Sequence, residues 1–428
     1  MTSSHDRVIL HADLNCFYAS VETVLHPEYR GRPIAVCGSR EDRHGIVLAK
    51  SELAKRAGVR TGMTNGAAAA LCPGLIIVPP HYAMYEKFSR LAKKIYGRYT
   101  NLVEPFGPDE NWLDMTAGMA AFESPFALAE EIRTTVSREL GLTVSVGVSF
   151  NKVFAKLASD MKKPDAVTMI TRENYRTLVW SQPVENLLFV GRATAEKLHR
   201  FSLHTIGDLA GADTAFLKTL LGKSGVMLQQ FALGNDTSRV MDISETVAPQ
   251  SVGHGVTCNA DVTDDEEVFR IFLELTQDIG RTLRAGGYFA RGLQICVRDR
   301  TLTDKQFDAL LPERTQSGKC LAEAAFRLYR AEYRREHPVR ALTVRATRLS
   351  RGREGEQYDF FYDTARAERR AELECAMDDI TARFGRGAIY PAAILLNEKT
   401  RALHPSAPTL PYPYLAAGRE PNDRTAEE

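Results

Sequence analysis

Three acidic side chains at the borders of apolar segments could bind metal ions. Asp13 follows the apolar run over residues 7–12, and Asp109 and Glu110 follow a Gly-Pro turn. Buried carboxylates without a cationic partner are unfavourable, so these residues need positive charge nearby. Mg²⁺ prefers hard oxygen ligands, and two such ions roughly 3.5–4 Å apart can activate an attacking hydroxyl and stabilise a leaving pyrophosphate. Acidic residues at strand ends also serve as caps or surface charges, so spacing alone leaves both interpretations open.

The elements around these residues are predicted from the spacing of apolar positions. We expect strands at residues 7–12, 45–50 and 144–150, and helices at residues 85–99, 125–140 and 151–161. The order resembles βαββαβ, with carboxylates at strand edges. This pattern predicts a ferredoxin-like palm.

The second half of the chain has a different pattern. Glycines interrupt short helical segments over residues 187–233, which predicts a small all-helical unit. Residues 235–250 show no clear period and predict a linker. Beyond them, helical spacing at residues 265–284 and 321–336 and alternating strand-like segments predict a second α+β domain.

Composition limits the class of protein. With 428 residues, 44% hydrophobic and 25% charged, the chain should form two to four compact units. No run approaches the roughly 18 apolar residues of a membrane span, and the N-terminus lacks the apolar core of a signal peptide. We therefore expect a cytoplasmic protein that does not bind membranes, with its seven scattered cysteines reduced.

The net charge of +1 is unevenly distributed along the chain, and one region is strongly basic. Residues 281–351 contain 16 Lys and Arg against 7 Asp and Glu. A local basic patch is what the phosphate backbone of a nucleic acid attracts. An arginine-rich, solvated helix face would account for the charge equally well.

Three motifs, in order, resemble those of Y-family DNA polymerases, close to the bacterial polymerase IV branch. They are HADLNCFYASVE at residues 11–22, VEPFGPDENWLDMT at 103–116 and SVGVSFNKVFAKLASDMKKPD at 145–165. The resemblance extends more thinly over residues 7–395. It implies an error-prone DNA-directed DNA polymerase for translesion synthesis and DNA repair. Such an enzyme adds dNTPs to a primer 3′ end by two-metal phosphoryl transfer and lacks proofreading.

The resemblance also implies an α+β multidomain architecture. The expected parts are a ferredoxin-like palm with fingers at residues 7–170, a small helical thumb with a helix-hairpin-helix at 171–234, a linker at 235–250, an α+β little-finger domain at 251–350, and a C-terminal tail at 351–428.

Residue roles follow from the same match. Asp13, Asp109 and Glu110 take the places of the catalytic carboxylates that bind two Mg²⁺ ions, and the backbone carbonyl of Leu14 joins them as a metal ligand. Tyr18 takes the place of the steric gate, an aromatic ring beneath the incoming sugar that would clash with a 2′-hydroxyl. The expected nucleotide-binding residues are Phe17, Tyr18, Ser51, Lys55 and Lys163. Lys55 could also be an ordinary surface lysine.

Four residues at three sites depart from the family pattern. Asn15 replaces a second Asp that is not generally a metal ligand, so the metal site should survive. Glu52 stands where relatives place a Tyr near the triphosphate; we expect it to turn away, or Ser51 to substitute. Gly107 and Pro108 replace a Ser-Leu-like pair before the acidic residues, which changes the loop.

The DNA contacts are expected in the thumb and the little finger. Residues 187–210 resemble a helix-hairpin-helix, in which Gly191 supplies one of the two usual glycines and Phe189 occupies the place of the other. An ordinary connection between two helices would also account for this segment. The little-finger residues expected to track the DNA backbone are Arg291, Arg298, Arg300, Arg340, Arg345 and Arg348.

A last motif resembles the peptide by which bacterial polymerases bind the sliding clamp. Gln357, Phe360 and Phe361 have its spacing within a charged segment, although a strand or a hydrophobic staple would also fit. The implied partners are primer-template DNA, dNTPs and the sliding (beta) clamp, with the protein a monomer. Two rival hypotheses are a non-catalytic DNA- and clamp-binding relative and a metal-dependent cyclase or nuclease that shares the palm.

Overall fold

The computed structural model describes residues 7–38, 45–245, 247–352, 364–385 and 387–395. The chain divides into two compact units. The first contains residues 1–37 and 47–245, and the second contains residues 38–46 and 246–428. In the described ranges, none of the helices is both long and apolar enough to cross a membrane.

The first unit holds two sheets and eleven of the described α-helices. Its strands are β1 (Ile9–Leu14), β2 (Ile34–Cys37), β3 (Val47–Lys50), β4 (Ile76–Val78), β5 (Val103–Pro105), β6 (Glu110–Asp114), β7 (Val144–Ser149) and β8 (Val167–Met169). Its helices are α1 (Phe17–Leu25), α2 (Glu52–Arg56), α3 (Asn65–Leu71), α4 (Tyr82–Tyr96), α5 (Pro125–Leu140), α6 (Lys152–Met161), α7 (Tyr175–Val179), α8 (Arg192–His199), α9 (Ile206–Gly211), α10 (Thr214–Leu221) and α11 (Lys223–Ala232).

The palm is a five-stranded sheet in the order β5-β6-β1-β7-β8. β1 pairs antiparallel with β6 and β7, whereas β7 and β8 are parallel. Every residue of β1 and β7 is buried, and α6 packs against both strands. A strand that is buried on both faces consists mainly of apolar residues. This is why the apolar run predicted β1.

Gly147 sets the spacing between β7 and α6. A Cβ at this position would lie 1.9 Å from the Ala155 carbonyl oxygen and 2.4 Å from the Ser159 backbone nitrogen. We expect Gly147→Ala to destabilise the protein by about 3 kcal/mol or more, because backbone atoms cannot yield locally. Thermal unfolding of Gly66→Ala provides the control, since a Cβ there meets nothing within 4 Å. An unchanged melting temperature in Gly147→Ala would contradict this packing.

A smaller sheet forms the fingers. Its order is β3-β2-β4, and it packs with α2 and α3 around a separate core that includes Val47, Ala54 and Ala68. The side chains of Ser51 and Thr64 cap the two helices by accepting backbone N–H groups. These caps orient β3 and α2 at the edge of the site described below.

The thumb is helical. Helices α7 to α11 surround an apolar core, and Phe154 of α6 is buried in it. The side chain of Asn151 donates a hydrogen bond to the carbonyl oxygen of Gly234 at 3.0 Å. The predicted all-helical segment is thus helical in the structure, and no strand or helix occurs between Leu233 and Gln250 in the part of the chain that is described.

The second unit contains β9 (Ser251–Val262), β10 (Tyr288–Asp299), β11 (Asp304–Thr315), β12 (Val339–Arg351), α12 (Asp265–Gly286), α13 (Gly318–Glu332), α14 (Thr364–Phe384) and α15 (Ala392–Leu395). The sheet order is β11-β10-β12-β9, and all its strands are antiparallel. Helices α12 and α13 are amphipathic and pack their apolar faces on one side of the sheet.

Part of the segment predicted as a C-terminal tail is helical. Arg284 of α12 forms ion pairs with Glu374 and Asp378 of α14, each at 2.6 Å. Ile394 of α15 is buried with Leu273. The tail prediction did not include these helices, because ion pairs between residues about ninety positions apart leave no local pattern in the sequence.

Candidate active site

The three acidic residues lie together at one edge of the palm sheet. Asp13 of β1 is the register partner of Glu110 of β6. The carbonyl oxygen of Asp109 accepts the backbone N–H of Leu14 at 3.1 Å. Strand pairing therefore brings residues nearly one hundred positions apart into one cluster, as the motifs predicted.

Asp13 is balanced by a lysine. Lys163 Nζ lies 2.7 Å from Asp13 Oδ2 and 2.8 Å from Asp160 Oδ1. Burial raises the pKa of Asp13, although the charge and hydrogen bond of Lys163 oppose it. Burial lowers the pKa of Lys163, but the two carboxylates outweigh this effect and raise it. The ion pair holds Asp13 near the end of β1.

Glu110 has two basic neighbours that the motifs did not identify. Lys156 of α6 donates to its carboxylate, and His11 Nε2 lies 3.5 Å from Oε2. Burial alone would raise the pKa of Glu110, but the hydrogen bonds from His11 and Lys156 lower it to about 2. Glu110 is therefore a carboxylate at any working pH.

Asp109 is the uncompensated member of the cluster. Burial, followed by repulsion from Asp13 and Glu110, raises the pKa of Asp109 to about 7. In the described part of the chain, no basic side chain forms a salt bridge with it. A bound cation would relieve this repulsion and ionise the group.

The donor set fits divalent cations. Three carboxylates and a strand-end carbonyl are the hard oxygen ligands that such ions prefer. As the side chains stand, no three His, Cys, Asp or Glu groups in the described ranges converge in metal-binding geometry. Asp13 and Glu110 are paired with Lys163 and Lys156, so a shared ion would replace the lysines as their partners.

A cavity of about 360 Å³ opens beside the cluster. It brings together most of the residues expected to bind the nucleotide. Its lining includes Asp13, Leu14, Phe17, Tyr18, Lys50, Glu52, Lys55, Pro108, Asp109, Glu110 and Lys163. Ser51 is not among the lining residues. Its hydroxyl accepts the backbone N–H groups of Ile34 at 3.0 Å and Ala54 at 3.4 Å, so it is used to cap α2.

Tyr18 stands at the cavity wall on a stack of aromatic rings. Its ring lies parallel to that of Tyr85, with centroids 4.2 Å apart, and meets Tyr82 edge-on at 6.1 Å. Burial, with Asp109 as the second cause, raises the pKa of Tyr18 to about 12. The phenol is therefore neutral, and the rings of Tyr82 and Tyr85 pack against it.

The residues that depart from the family pattern differ in their contacts. The Asn15 side chain donates to Ser145 Oγ at 2.9 Å and accepts the Asp165 backbone N–H at 2.8 Å, which anchors the loop that carries Lys163. Asn15 is thus positioned as a support. Glu52 faces the cavity and lies 3.8 Å from Lys55 Nζ, so it has not turned away as expected. Its negative charge partly offsets Lys55.

The hairpin before α8 has the backbone of a glycine turn. Phe189 adopts φ 69, a conformation that favours glycine, and its side chain is 59% exposed. A Cβ on Gly191, the residue before α8, would meet nothing within 4 Å. The turn therefore leaves space in front of the α8 N-terminus, which a phosphate could use.

The six predicted arginines of the second unit are not equivalent. Burial alternates along β10 and β12, and this alternation places Arg291, Arg298 and Arg345 on the sheet face opposite α12 and α13. Arg298 is neutralised by a bidentate pair with Asp304 at 2.7 Å. The alternation does not assign the other three to a face: Arg300 follows β10, Arg340 lies at the register shift between Val339 and Ala341, and Arg348 has a φ of 52. The clamp-like residues Gln357, Phe360 and Phe361 lie outside the described residues.

A palm sheet with carboxylates at its edge, a small finger sheet and a helical thumb define a polymerase fold. The impB/mucB/samB family model matches residues 12–160, and the model of that family's C-terminal domain matches residues 249–360. The chain belongs to the impB/mucB/samB family. The resemblance to Y-family polymerases inferred from the motifs is confirmed.

Relatives named DNA polymerase IV match almost the whole chain. The protein of Acetivibrio thermocellus is 44% identical over 92% of this chain and 98% of its own length. That of Moorella thermoacetica is 35% identical over 92% and 97%. DNA polymerase IV 1 of Bacillus subtilis is 34% identical over 92% and 95%.

A solved structure supports the architecture. A Y-family DNA polymerase chimera covers 81% of this chain and 100% of its own chain, with a TM-score of 0.72 and 21% identity. The predicted α+β fold, with palm, fingers, thumb and little finger, is confirmed by this match.

Proposed function

We propose that this protein is an error-prone DNA-directed DNA polymerase that extends primers across damaged templates. It belongs with the relatives named DNA polymerase IV, and it depends on divalent metal. The observation that carries the proposal is the single cavity that contains the three carboxylates, Tyr18 and lysines 50, 55 and 163. Nothing favours the non-catalytic alternative, because Asp13, Asp109, Glu110 and Lys163 are all present and adjacent.

The residues divide the work of phosphoryl transfer. Asp13, Asp109 and Glu110, with the carbonyl of Leu14, would hold two Mg²⁺ ions. Bound there, the ions supply activation of the primer hydroxyl and neutralisation of charge on the leaving pyrophosphate. Lys163 and Lys55 bind the triphosphate and hold it in line for attack. Tyr18 packs beneath the sugar, and Phe17 supports its ring at a centroid distance of 5.6 Å.

The DNA is held outside the palm. The Phe189–Gly191 turn offers backbone N–H groups to a phosphate, and the arginines of the second unit contact the DNA backbone without reading sequence. Such contacts tolerate a distorted template. The enzyme works as a monomer on primer-template DNA.

Primer extension on paired templates tests the proposal. One template is intact and the other carries a single abasic or bulky lesion, with all four dNTPs present. We expect extension to the template end on both. Extension that stops before the lesion on every damaged template would contradict a translesion role, and no extension on the intact template would contradict a polymerase.

The clamp peptide makes a separate prediction. Replacing Gln357, Phe360 and Phe361 by Ala should abolish stimulation by the sliding clamp while basal synthesis stays unchanged, because the aromatic rings would no longer fill the clamp pocket. Tyr358→Ala with Asp359→Ala is the matched control, since those positions are variable in the motif. Equal stimulation of both variants on a clamp-loaded template would refute the assignment.

A further inference from the structure

The nucleotide cavity contains a lysine that the family motifs do not assign. Three lysines line it: Lys50, Lys55 and Lys163. Lys163 is engaged by two carboxylates, and Lys55 faces Glu52 at 3.8 Å. Lys50 Nζ donates to the hydroxyl of Thr61 at 2.9 Å. Within the described residues it forms no salt bridge, so its charge is the least compensated of the three.

The backbone of Lys50 is firmly placed. Lys50 ends β3 and is the register partner of Ala35 in β2. The next residue, Ser51, hydrogen-bonds through its hydroxyl to both β2 and α2. Thr61, which also lines the cavity, holds the ammonium group. Little side-chain freedom therefore has to be lost when an anion binds.

Cys16 lines the cavity together with these charged residues. Burial, followed by the negative charge of Glu52, raises the pKa of the Cys16 thiol. The positive charges of Lys55, Lys50 and Lys163 act on the same sulfur in the opposite direction. The Cys16 sulfur lies 4.0 Å from Glu52 Oε2, and the three lysines line the same cavity as Cys16.

We propose that Lys50 is a further triphosphate-binding residue, which supplies the positive charge that Glu52 withdraws from Lys55. The inference rests on the proposed polymerase function. Glu52 and Lys55 form a partly neutralised pair, whereas the hydroxyl of Thr61 leaves the full charge of Lys50 available to phosphate oxygens. A nucleoside triphosphate is the ligand class that needs several cations at one point.

The test compares Lys50→Ala with the charge-preserving Lys50→Arg. In single-nucleotide primer extension, Lys50→Ala should raise the KM for dNTP about tenfold, the worth of one hydrogen bond to a charged group, with kcat little changed. Lys50→Arg should restore most of the affinity. Lys94→Ala removes an exposed lysine of α4 and should leave KM unchanged. An unchanged KM in Lys50→Ala, or equal loss and a lowered melting temperature in both Lys50 variants, would overturn the proposal.

Measuring nucleotide binding directly distinguishes the role of Lys50 from the proposed polymerase function. Equilibrium titration with dGTP and with dGMP should show that Lys50→Ala weakens the triphosphate alone. Equal weakening of both nucleotides, or of neither, would overturn the role of Lys50 even if primers are extended. A wild-type protein that binds dGTP through Lys50 but extends no primer would instead contradict the polymerase function.

Discussion

Asp109→Asn is expected to lower kcat/KM for nucleotide addition by at least about 10²- to 10³-fold, the usual cost of losing one electrostatic contact to the transition state. The expected loss follows from the proposed metal site, since the amide keeps the shape of the side chain but removes its charge. Steady-state primer extension measures the effect. Asp114→Asn at the far end of β6 is the matched control, because Asp114 pairs with Arg7 at 3.2 Å outside the nucleotide cavity.

The same substitution should not destabilise the protein. The folded-state pKa of Asp109 is raised from 3.8 to about 7, so the folded chain holds this proton more tightly than the unfolded chain does. Ionisation of Asp109 therefore reduces stability as pH rises from about 4 toward 7. At pH 8, Asp109→Asn should unfold at the same temperature as the wild type or higher. A large fall in melting temperature would mean that Asp109 stabilises the fold. The loss of activity could then not be attributed to the metal site.

Tyr18→Ala is expected to admit ribonucleotides. Removing the ring removes the surface against which a 2′-hydroxyl would clash, and discrimination between dCTP and CTP should fall by about 10- to 200-fold, the range for excluding one small group. The measurement is the ratio of kcat/KM for the two nucleotides on one template.

The stacked rings supply the control for this result. Tyr18→Phe keeps the ring on Tyr85 and removes only the hydroxyl, so discrimination should be retained. If Tyr18→Phe loses as much discrimination as Tyr18→Ala, the hydroxyl rather than the ring bulk is responsible. Unchanged discrimination in Tyr18→Ala would remove the steric-gate assignment altogether.

The placement of the carboxylates was predictable because their motifs lie on buried strands. A continuous apolar run predicted β1, and pairing in a palm sheet was enough to bring Asp13 beside Glu110. Tyr18 and Lys163 lie in the same motifs, and Lys55 was assigned from the wider resemblance. All three line the same cavity. Sequence patterns succeed here because each of these residues lies on a strand or a helix, or within two residues of one.

The partners of these residues were not predictable from local patterns. Lys156 reaches Glu110 because α6 packs against β1, and His11 reaches it because β1 pairs with β6. Neither contact has a spacing signature. Ser51 was expected to bind the nucleotide because it lies beside other expected nucleotide ligands, but its side chain caps α2. Glu52 was expected to avoid the phosphates, but a salt-bridge partner at Lys55 allows it to face the cavity.

Nucleotide transfer at the edge of the palm sheet should require divalent metal. The most direct test is single-nucleotide primer extension by the wild type and Glu110→Gln, each titrated with Mg²⁺ from zero after chelation. We expect extension by the wild type that rises from zero with Mg²⁺, and none by a Glu110→Gln protein that still binds primer-template DNA. Extension without divalent metal, or equal extension by the two proteins, would contradict the account.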